Sequence, residues 1–283
     1  MQVSSLPSQP PQVFVLAGDQ AEAFAAAYGD TFVDGGARPQ GAPPLALAIG
    51  TLALGVGPVL QATLAGKPHE PLLRVVHLEE EMRWHAPLQL DIPYRINAAL
   101  SLHEARPAGE FLHIDTEVSD PAGALVASTR STLFVRPPGR IVAPQTKGAP
   151  QAPLRPCKKL VPWRVADDQP ERYARASLDT NPIHLDDTVA QASGLPGRIL
   201  HGMCTLAYGA RALSSRAAGH RLQLTYLRAR FGRPVFPKDV LTCRLYEADD
   251  GADPFDVVQQ DGTVVLSRGL ARFAKPCPSP QKL

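Results

Sequence analysis

The stretch that decides the fold spans residues 173–202, with the sequence YARASLDTNPIHLDDTVAQASGLPGRILHG. Within it, Asp179 and His184 are five positions apart, whereas neighbours on one face of a helix are three or four positions apart. Pro182 interrupts a helix here, because it lacks a backbone N–H and pushes Asn181 out of the helical region. The sequence therefore predicts a turn that aims a carboxylate and an imidazole at one point. Such a pair can share a water molecule and act as acid and base near neutral pH.

An ordered set of residue types runs through this stretch. Its members are Tyr173 and Ala174, Asp179, the run Asn181-Pro182-Ile183-His184, Asp186, Ala190, Gly194, Ile199, and the pair His201-Gly202. In this order they resemble the hydratase-2 motif of the MaoC-like family of (R)-specific enoyl-thioester hydratases and 3-hydroxyacyl-thioester dehydratases. The resemblance implies reversible hydration of an enoyl thioester that is carried by coenzyme A or by an acyl-carrier protein. It implies a hotdog fold and neither a metal nor a redox cofactor.

The resemblance implies catalytic roles for Asp179 and His184, and the sequence leaves open which of them gives a proton and which takes one. Gly202 is expected to open a helix whose unpaired N–H groups hold the negative charge of the thioester oxygen. Asn181 and His201 are expected to support the site. The structural alternative is that Asp179 caps a turn, that His184 is a structural hydrogen-bonding group, and that Gly202 serves only close packing.

Two arginines, Arg198 and Arg230, are weak candidates for contacts with the phosphates of coenzyme A or of a phosphopantetheine group. Two other functions remain open. A hotdog thioesterase needs a carboxylate on its central helix, and the segment Met203 to Leu213 contains none. A non-catalytic protein that binds acyl thioesters could use the same pocket.

The composition of the chain favours a globular protein that does not bind nucleic acid. Hydrophobic residues make up 44% of its 283 residues, the net charge is +2, and the 29 Lys and Arg are scattered. The four cysteines form no Cys-x-x-Cys pair, which favours reduced thiols over a zinc site. The first basic residue is Arg38. We therefore expect no signal peptide and a cytoplasmic location.

Residues 39–66 contain no charged side chain and would also suit a membrane span. The prolines and glycines within this segment favour instead a short helix that is covered by a sheet. We therefore expect no membrane span, and we expect this helix to line a channel for the acyl chain.

Alternating apolar and polar residues over 74–136 predict an antiparallel meander, and a second meander is predicted over 223–274. Motifs near Trp84 recur at Phe231, 147 positions later, and Gly123 recurs as Gly262, 139 positions later. This internal repeat predicts two modules of one fold. The fold class is thus α+β, a double hotdog in which each module wraps a sheet around a long helix.

The predicted domains are an N-terminal module at 1–140 without the motif, a proline-rich linker at 141–158, and a C-terminal module at 159–283 that carries the motif. Helix caps are predicted at Asp19, at Asp168 and at Asp186 or Asp187. Two modules in one chain can pair internally, so both a monomer and a homodimer are compatible with the sequence.

Overall fold

The computed structural model describes residues 8–29, 43–67, 71–137, 156–214, 223–248 and 250–274. The strands are β1 (Gln12–Val15), β2 (Val75–Trp84), β3 (Pro93–Arg106), β4 (Gly109–Ser119), β5 (Leu125–Val135), β6 (Cys157–Arg164), β7 (Leu224–Phe231), β8 (Val240–Tyr246), β9 (Asp253–Gln259) and β10 (Val264–Phe273). The helices are α1 (Gly18–Ala27), α2 (Leu47–Gly50), α3 (Gly57–Leu64), α4 (Gln169–Ser177), α5 (Asp187–Ala192) and α6 (Gly202–Ser214).

All ten strands form one antiparallel sheet in the order β1-β3-β4-β5-β2-β7-β10-β9-β8-β6. The second five strands, taken from β6, repeat the order of the first five, so the predicted internal repeat is present in the topology. The two halves join where β2 pairs with β7, with Glu79 opposite Arg230 and Arg83 opposite Tyr226. The sheet is therefore continuous across the junction of the modules.

Each half of the sheet packs against one central helix. In the first half, the chain is helical without a break from Pro44 to Leu64. This segment consists of a short 3₁₀ turn, α2, a π-helical turn at Thr51–Val56 and α3. We call this run the first central helix. Its π turn ends at Val56, two positions before Pro58, whose missing N–H interrupts the regular hydrogen-bond ladder. In the second half, α6 is the central helix, and ten of its residues are buried.

By length and apolar composition the first central helix could also cross a membrane, but most of its apolar window is buried inside the structure. It packs on β3 and β4, as the core helix of a sheet does. It is much longer than the short helix predicted from the sequence. The expected absence of a membrane span stays a prediction.

The strand alternation predicted from the sequence is observed in most of the sheet. Tyr94 and Ile96 of β3 are buried, and so are Leu112, Ile114 and Thr116 of β4. Several strand pairs shift their register, and one of these shifts lies close to the site described below. β2 carries a bulge between His77 and Glu79, which shifts its register against β5.

Other predictions need correction. α1 begins at Gly18 with Ala17 as its N-cap, and Asp19 lies inside the helix. Asp168 occupies the N-cap position of α4, but its side chain pairs with Arg172 at 3.1 Å and accepts no capping bond. Strand β6 was not predicted, and it begins at Cys157, within the end of the proposed linker. The rest of that linker, residues 141–155, lies outside the described residues, as do residues 215–222 at the expected end of α6.

Candidate active site

The bend between Asp179 and His184 is formed by local hydrogen bonds. α4 ends at Ser177, and its C-cap residue Leu178 adopts a left-handed conformation with φ of 63°. The Asn181 N–H donates to Asp179 Oδ1 at 3.2 Å, and the Ile183 N–H donates to Asn181 Oδ1 at 3.3 Å. A 3₁₀ turn at Pro182–His184 follows. The chain therefore turns where the sequence predicts, and the Asn181 side chain braces the turn, as expected.

The His184 ring has a fixed orientation. It is 8% exposed, and its Nδ1 lies 2.9 Å from the carbonyl oxygen of Ile199. Because a carbonyl can only accept, Nδ1 carries the proton in the neutral ring. The other ring nitrogen, Nε2, keeps its lone pair and is the available base.

The His201 ring is stacked on the His184 ring, with centroids 3.8 Å apart and planes inclined by 24°. His201 Nε2 lies 3.0 Å from the backbone oxygen of Asp179, to which it donates. Its Nδ1 is buried and has no hydrogen-bond partner among the described residues. Tyr173 also packs against His201, with ring centroids 4.9 Å apart and planes inclined by 45°. His201 thus contacts both the Asp179 backbone and the imidazole plane of His184, and its supporting role stays a prediction.

One carboxylate oxygen of Asp179 and one ring nitrogen from each of His184 and His201 lie within 4.8 Å of one another. Such a group could in principle bind a metal ion. The lone pairs of an imidazole lie in its ring plane, however, so two stacked rings inclined by only 24° keep these lone pairs in nearly parallel planes, which is a poor geometry for one shared ion. The arrangement favours a carboxylate and an imidazole that share one water molecule.

Burial keeps both imidazoles uncharged at neutral pH. Desolvation lowers the pKa of His184, and the nearby Asp179 charge and the bond to Ile199 oppose this shift only in part. Desolvation and the adjacent His184 lower the pKa of His201 further. His184 is therefore present as a base over the physiological pH range.

Gly202 is the first residue of α6, as predicted, so its N–H belongs to the set that a helix leaves without an internal partner. A Cβ added to Gly202 would lie 2.9 Å from Cδ1 of Phe231. Packing against Phe231 therefore explains the glycine, in addition to any approach of a ligand. Sequence reasoning did not identify Phe231 as part of the site, although the internal repeat makes it the equivalent of Trp84 in the first module.

The remaining predicted residues lie around this centre. Asp186 caps α5, and its Oδ1 accepts the Thr188 N–H at 2.7 Å. Arg198 forms ion pairs with Glu171 at 3.2 Å and with Asp187 at 3.4 Å, so acidic groups already surround its guanidinium. Arg230 is exposed and directly precedes Phe231 on β7. Neighbouring residues of a strand point to opposite faces, so Arg230 lies on the face of the sheet away from α6. Their contacts with phosphate stay a prediction.

Sequence reasoning also missed two groups whose contacts depend on the tertiary fold. The Ile199 carbonyl, which orients His184, is a backbone atom and has no sequence signal. The sequence around His77 indicates no partner for it, but in the structure it hydrogen-bonds to the buried Glu80 at 3.0 Å and contacts Phe231. The sequence does indicate that Glu80 is buried, because it lies two positions before the apolar Met82 on β2 and therefore points to the same face of the sheet.

Comparisons with known proteins identify the family and the fold. Residues 149–267 match the model of the MaoC like domain. The chain is 31% identical to 3-hydroxyacyl-thioester dehydratase Y of Mycobacterium tuberculosis over 62% of its own length and 70% of the relative. It is 30% identical to the peroxisomal multifunctional enzyme type 2 of Drosophila melanogaster over 56% of its own length, and it spans only 28% of that relative.

Solved structures show the same fold. A MaoC-like dehydratase from Phytophthora capsici superposes with a TM-score of 0.79 at 21% identity, over 96% of both chains. A Mycobacterium tuberculosis protein described as a double hotdog superposes with a TM-score of 0.58 at 16% identity, again over 96% of both chains. At these identities the likeness shows the fold alone, and it confirms the predicted double hotdog.

Proposed function

Because the chain belongs to the MaoC-like dehydratase family, we propose that it catalyses the reversible hydration of trans-2-enoyl thioesters to (3R)-hydroxyacyl thioesters. The observation that carries this proposal is the bend at Asp179–His184, which places a carboxylate beside a neutral imidazole with a free Nε2. The two sequence relatives are a dehydratase and a multifunctional enzyme, and the substrate and residue roles of this chain are our proposal.

In the hydration direction, a water molecule is held between the Asp179 carboxylate and His184 Nε2. Nε2 accepts a proton from the water as its oxygen bonds to the β-carbon of the substrate, and the C=C electron pair moves toward the thioester carbonyl. The Asp179 carboxylate accepts a hydrogen bond from the same water and orients it. This assigns His184 as the base and Asp179 as the orienting group.

The protonated His184 then returns a proton to the α-carbon. An imidazolium in this buried position is a strong acid, because the same desolvation that lowers the pKa of His184 disfavours the charged ring. Transfer of the proton to the enolate forms the α C–H bond and restores the neutral base. The dehydration of a 3-hydroxyacyl thioester follows the same steps in reverse.

The enolate oxygen needs a fixed donor while it carries charge. We assign this role to the unpaired N–H groups at the start of α6, with Gly202 first among them. In this scheme His201 and Asn181 hold the Asp179 loop, and neither exchanges a proton with the substrate. The reaction requires no cofactor in this proposal.

The substrate is proposed to be an acyl-CoA or an acyl-carrier-protein thioester. A phosphate contact by Arg198 would have to compete with its ion pairs to Glu171 and Asp187. Arg230 would reach a phosphate only if the pantetheine arm runs over the outer face of the sheet. Both contacts remain proposals for which kinetic comparison of CoA and carrier-protein substrates is the direct test.

The test follows the enoyl-thioester absorbance of crotonyl-CoA. Wild-type protein is expected to bleach it, and Asp179→Asn and His184→Gln are each expected to lower kcat/KM by at least roughly a hundredfold. Asp186→Asn is the matched control, because it alters a motif carboxylate that only caps α5, and its turnover should stay near that of the wild type. Release of free thiol without loss of the double bond would identify a thioesterase instead, and binding without either change would identify a non-catalytic protein.

A further inference from the structure

The inner face of the first module carries a strip of buried polar side chains that the proposed chemistry does not use. Glu80 of β2 is 0% exposed, and Ser131 of β5 directly opposite it is also 0% exposed. Thr129, two positions before Ser131, and Thr116, opposite Thr129 on β4, are 5% and 1% exposed. We call Glu80, Thr116, Thr129 and Ser131 the polar strip.

Three atoms of the polar strip have no hydrogen-bond partner among the described residues: Glu80 Oε1, Thr116 Oγ1 and Thr129 Oγ1. The other Glu80 oxygen, Oε2, accepts from Ser131 at 2.6 Å and from His77 Nε2 at 3.0 Å. The carboxyl group is thus held at one oxygen and left open at the other. Buried polar atoms are almost always paired in folded proteins, so three unpaired atoms on adjacent strands require an explanation.

The polar strip is linked to the active site by direct contacts. The bulge in β2 turns His77 toward Glu80. The ring of His77 lies 4.7 Å from the ring of Phe231, measured between centroids, and Phe231 packs against Gly202 at the start of α6. The strip therefore begins one aromatic ring away from the proposed thioester position.

The polar strip also lies at the boundary between the two central helices. The π turn Thr51–Val56 packs on β3 and β4, whereas α6 packs on β7, β8, β9 and β10. Strands β2 and β5 lie between these two areas. Thr116 is at the margin of the first area, where a Cβ added to Gly55 would lie 3.1 Å from its Oγ1. A group that extends from Gly202 past Phe231 would enter this boundary region.

We propose that the polar strip is a binding site for a hydroxyl group on the distal part of the acyl chain, which makes hydroxylated enoyl thioesters the preferred substrates. A hydroxyl is both a donor and an acceptor, so it can donate to Glu80 Oε1 and accept from the hydroxyl of Thr129 or Thr116. A plain hydrocarbon chain would leave all three atoms unpaired and desolvated. This inference rests on the proposed hydratase function, since it concerns the acyl chain of that substrate.

The test compares pairs of trans-2-enoyl-CoA thioesters of six to twelve carbons, with and without a terminal hydroxyl. For at least one chain length, wild-type kcat/KM is expected to be at least roughly tenfold higher for the hydroxylated member, because a site with polar atoms to satisfy discriminates against the analogue that lacks the hydroxyl. The difference should appear mainly in KM, since the distal contact is the same in ground and transition states.

The double variant Thr116→Val/Thr129→Val removes two of the unpaired atoms at nearly constant volume. It is expected to remove most of the preference and to hydrate the plain substrates as the wild type does. Thr132→Val is the matched control, because Thr132 lies on β5 with the opposite parity to Thr129 and Ser131. Its preference should equal that of the wild type.

The outcomes separate this inference from the proposed function. Equal wild-type kcat/KM for both members at every chain length would overturn the polar-strip proposal and leave the hydratase function intact. Buried water would then be the partner of the unpaired atoms. A preference that persists in the double valine variant would also overturn it. If no thioester is hydrated, the proposed function fails, and the polar-strip proposal is then tested by calorimetric binding of saturated acyl-CoA with and without the terminal hydroxyl. Tighter binding of the hydroxylated ligand supports the polar strip, and equal binding overturns it.

Discussion

The proposed chemistry depends on two imidazoles that the fold keeps uncharged. His184 and His201 are both buried, and their stacked rings make it costly to charge either one. The bond from His184 Nδ1 to Ile199 leaves Nε2 as the only ring nitrogen with a lone pair. A residue that is usually half protonated near pH 6.5 is thereby held as a base.

This predicts the direction of the pH dependence. Because burial lowers the pKa of His184 from 6.5, kcat/KM should rise with pH to a midpoint below 6.5 and stay level through neutrality. Asp179 opposes the shift, so Asp179→Asn should lower the pKa of His184 further. NMR titration of the His184 ring in both proteins measures this directly, and a pKa at or above 6.5 in the wild type would contradict it.

The same groups make stability depend on pH. A histidine whose pKa is lowered by folding contributes stability that is fully present above its unfolded pKa and is lost as the pH falls. Between pH 6.5 and the lower pKa values of the folded state, the unfolded chain binds two protons that the folded chain does not. The free energy of unfolding should then fall by up to about 2.7 kcal/mol per pH unit.

Urea denaturation at a series of pH values below 6.5 checks the slope. His201→Asn should reduce the slope by about half, because one of the two protons no longer contributes. An unchanged slope in this variant would show that other groups carry the pH dependence.

Among single residues, those of the motif were predictable and their partners were not. Asp179, His184, Asn181 and Gly202 lie within one continuous stretch, so the sequence predicts that they are close together, and their roles in the site stay a prediction. Ile199 and Phe231 act through a backbone atom and through packing across strands. Such contacts depend on the tertiary fold and leave no local pattern.

At the scale of elements, the start of α6 depends on a close contact with β7. The Cβ of an alanine at position 202 would lie 2.9 Å from Phe231 Cδ1, on an aromatic ring that cannot yield without repacking. Gly202→Ala should therefore destabilise the protein by about 1–3 kcal/mol and reduce hydration.

The double variant Gly202→Ala/Phe231→Leu separates packing from chemistry. Leucine is expected to relieve the contact and to restore most of the unfolding free energy, measured in urea. If the stability of Gly202→Ala already equals that of the wild type, the packing explanation for the glycine is wrong.

Elements were predictable where their residues alternate regularly. The parities of β3 and β4 follow from the sequence because apolar residues occupy most alternate positions in the part of each strand that faces the core. β6 was missed because its exposed residues and Pro162 resemble the proline-rich segment before it. The bulge in β2 was missed because it depends on the register with β5.

At the scale of the whole molecule, the two modules share the larger core cluster, and a smaller second cluster lies within the first module. A single cluster of buried residues contains Phe14 and Met82 of the first module together with Leu227 and Phe255 of the second. The helices α1 and α4 pack on each other, with the rings of Phe24 and Tyr173 5.4 Å apart. The pairing of β2 with β7 adds backbone hydrogen bonds across the same junction.

This predicts that the modules unfold together. The chain has two tryptophans, Trp84 in the first module and Trp163 in the second. The single-tryptophan variants Trp84→Phe and Trp163→Phe should each show a urea transition by fluorescence that coincides with the one by circular dichroism. Fluorescence midpoints that differ from those of circular dichroism would show that each module unfolds independently.

The double module was predictable from the sequence because Trp84 and Phe231, like Gly123 and Gly262, lie at equivalent places in the two copies. Gly123 and Gly262 both adopt positive φ, at 85° and 83°, in the turns between equivalent strands. The joining of the modules through β2 and β7 was not predictable, since no local pattern specifies which strands meet. The domain boundaries, the cytoplasmic location and the choice between monomer and homodimer stay predictions.

In the proposed reaction, Asp179 and His184 act on the same water molecule. A double-mutant cycle of kcat/KM on crotonyl-CoA, with Asp179→Asn, His184→Gln and the combined variant, tests this most directly. Groups that act as one unit are not additive, so the combined variant should be within about threefold of the slower single variant. Losses that multiply in the combined variant would show that the two groups act independently and would contradict the claim.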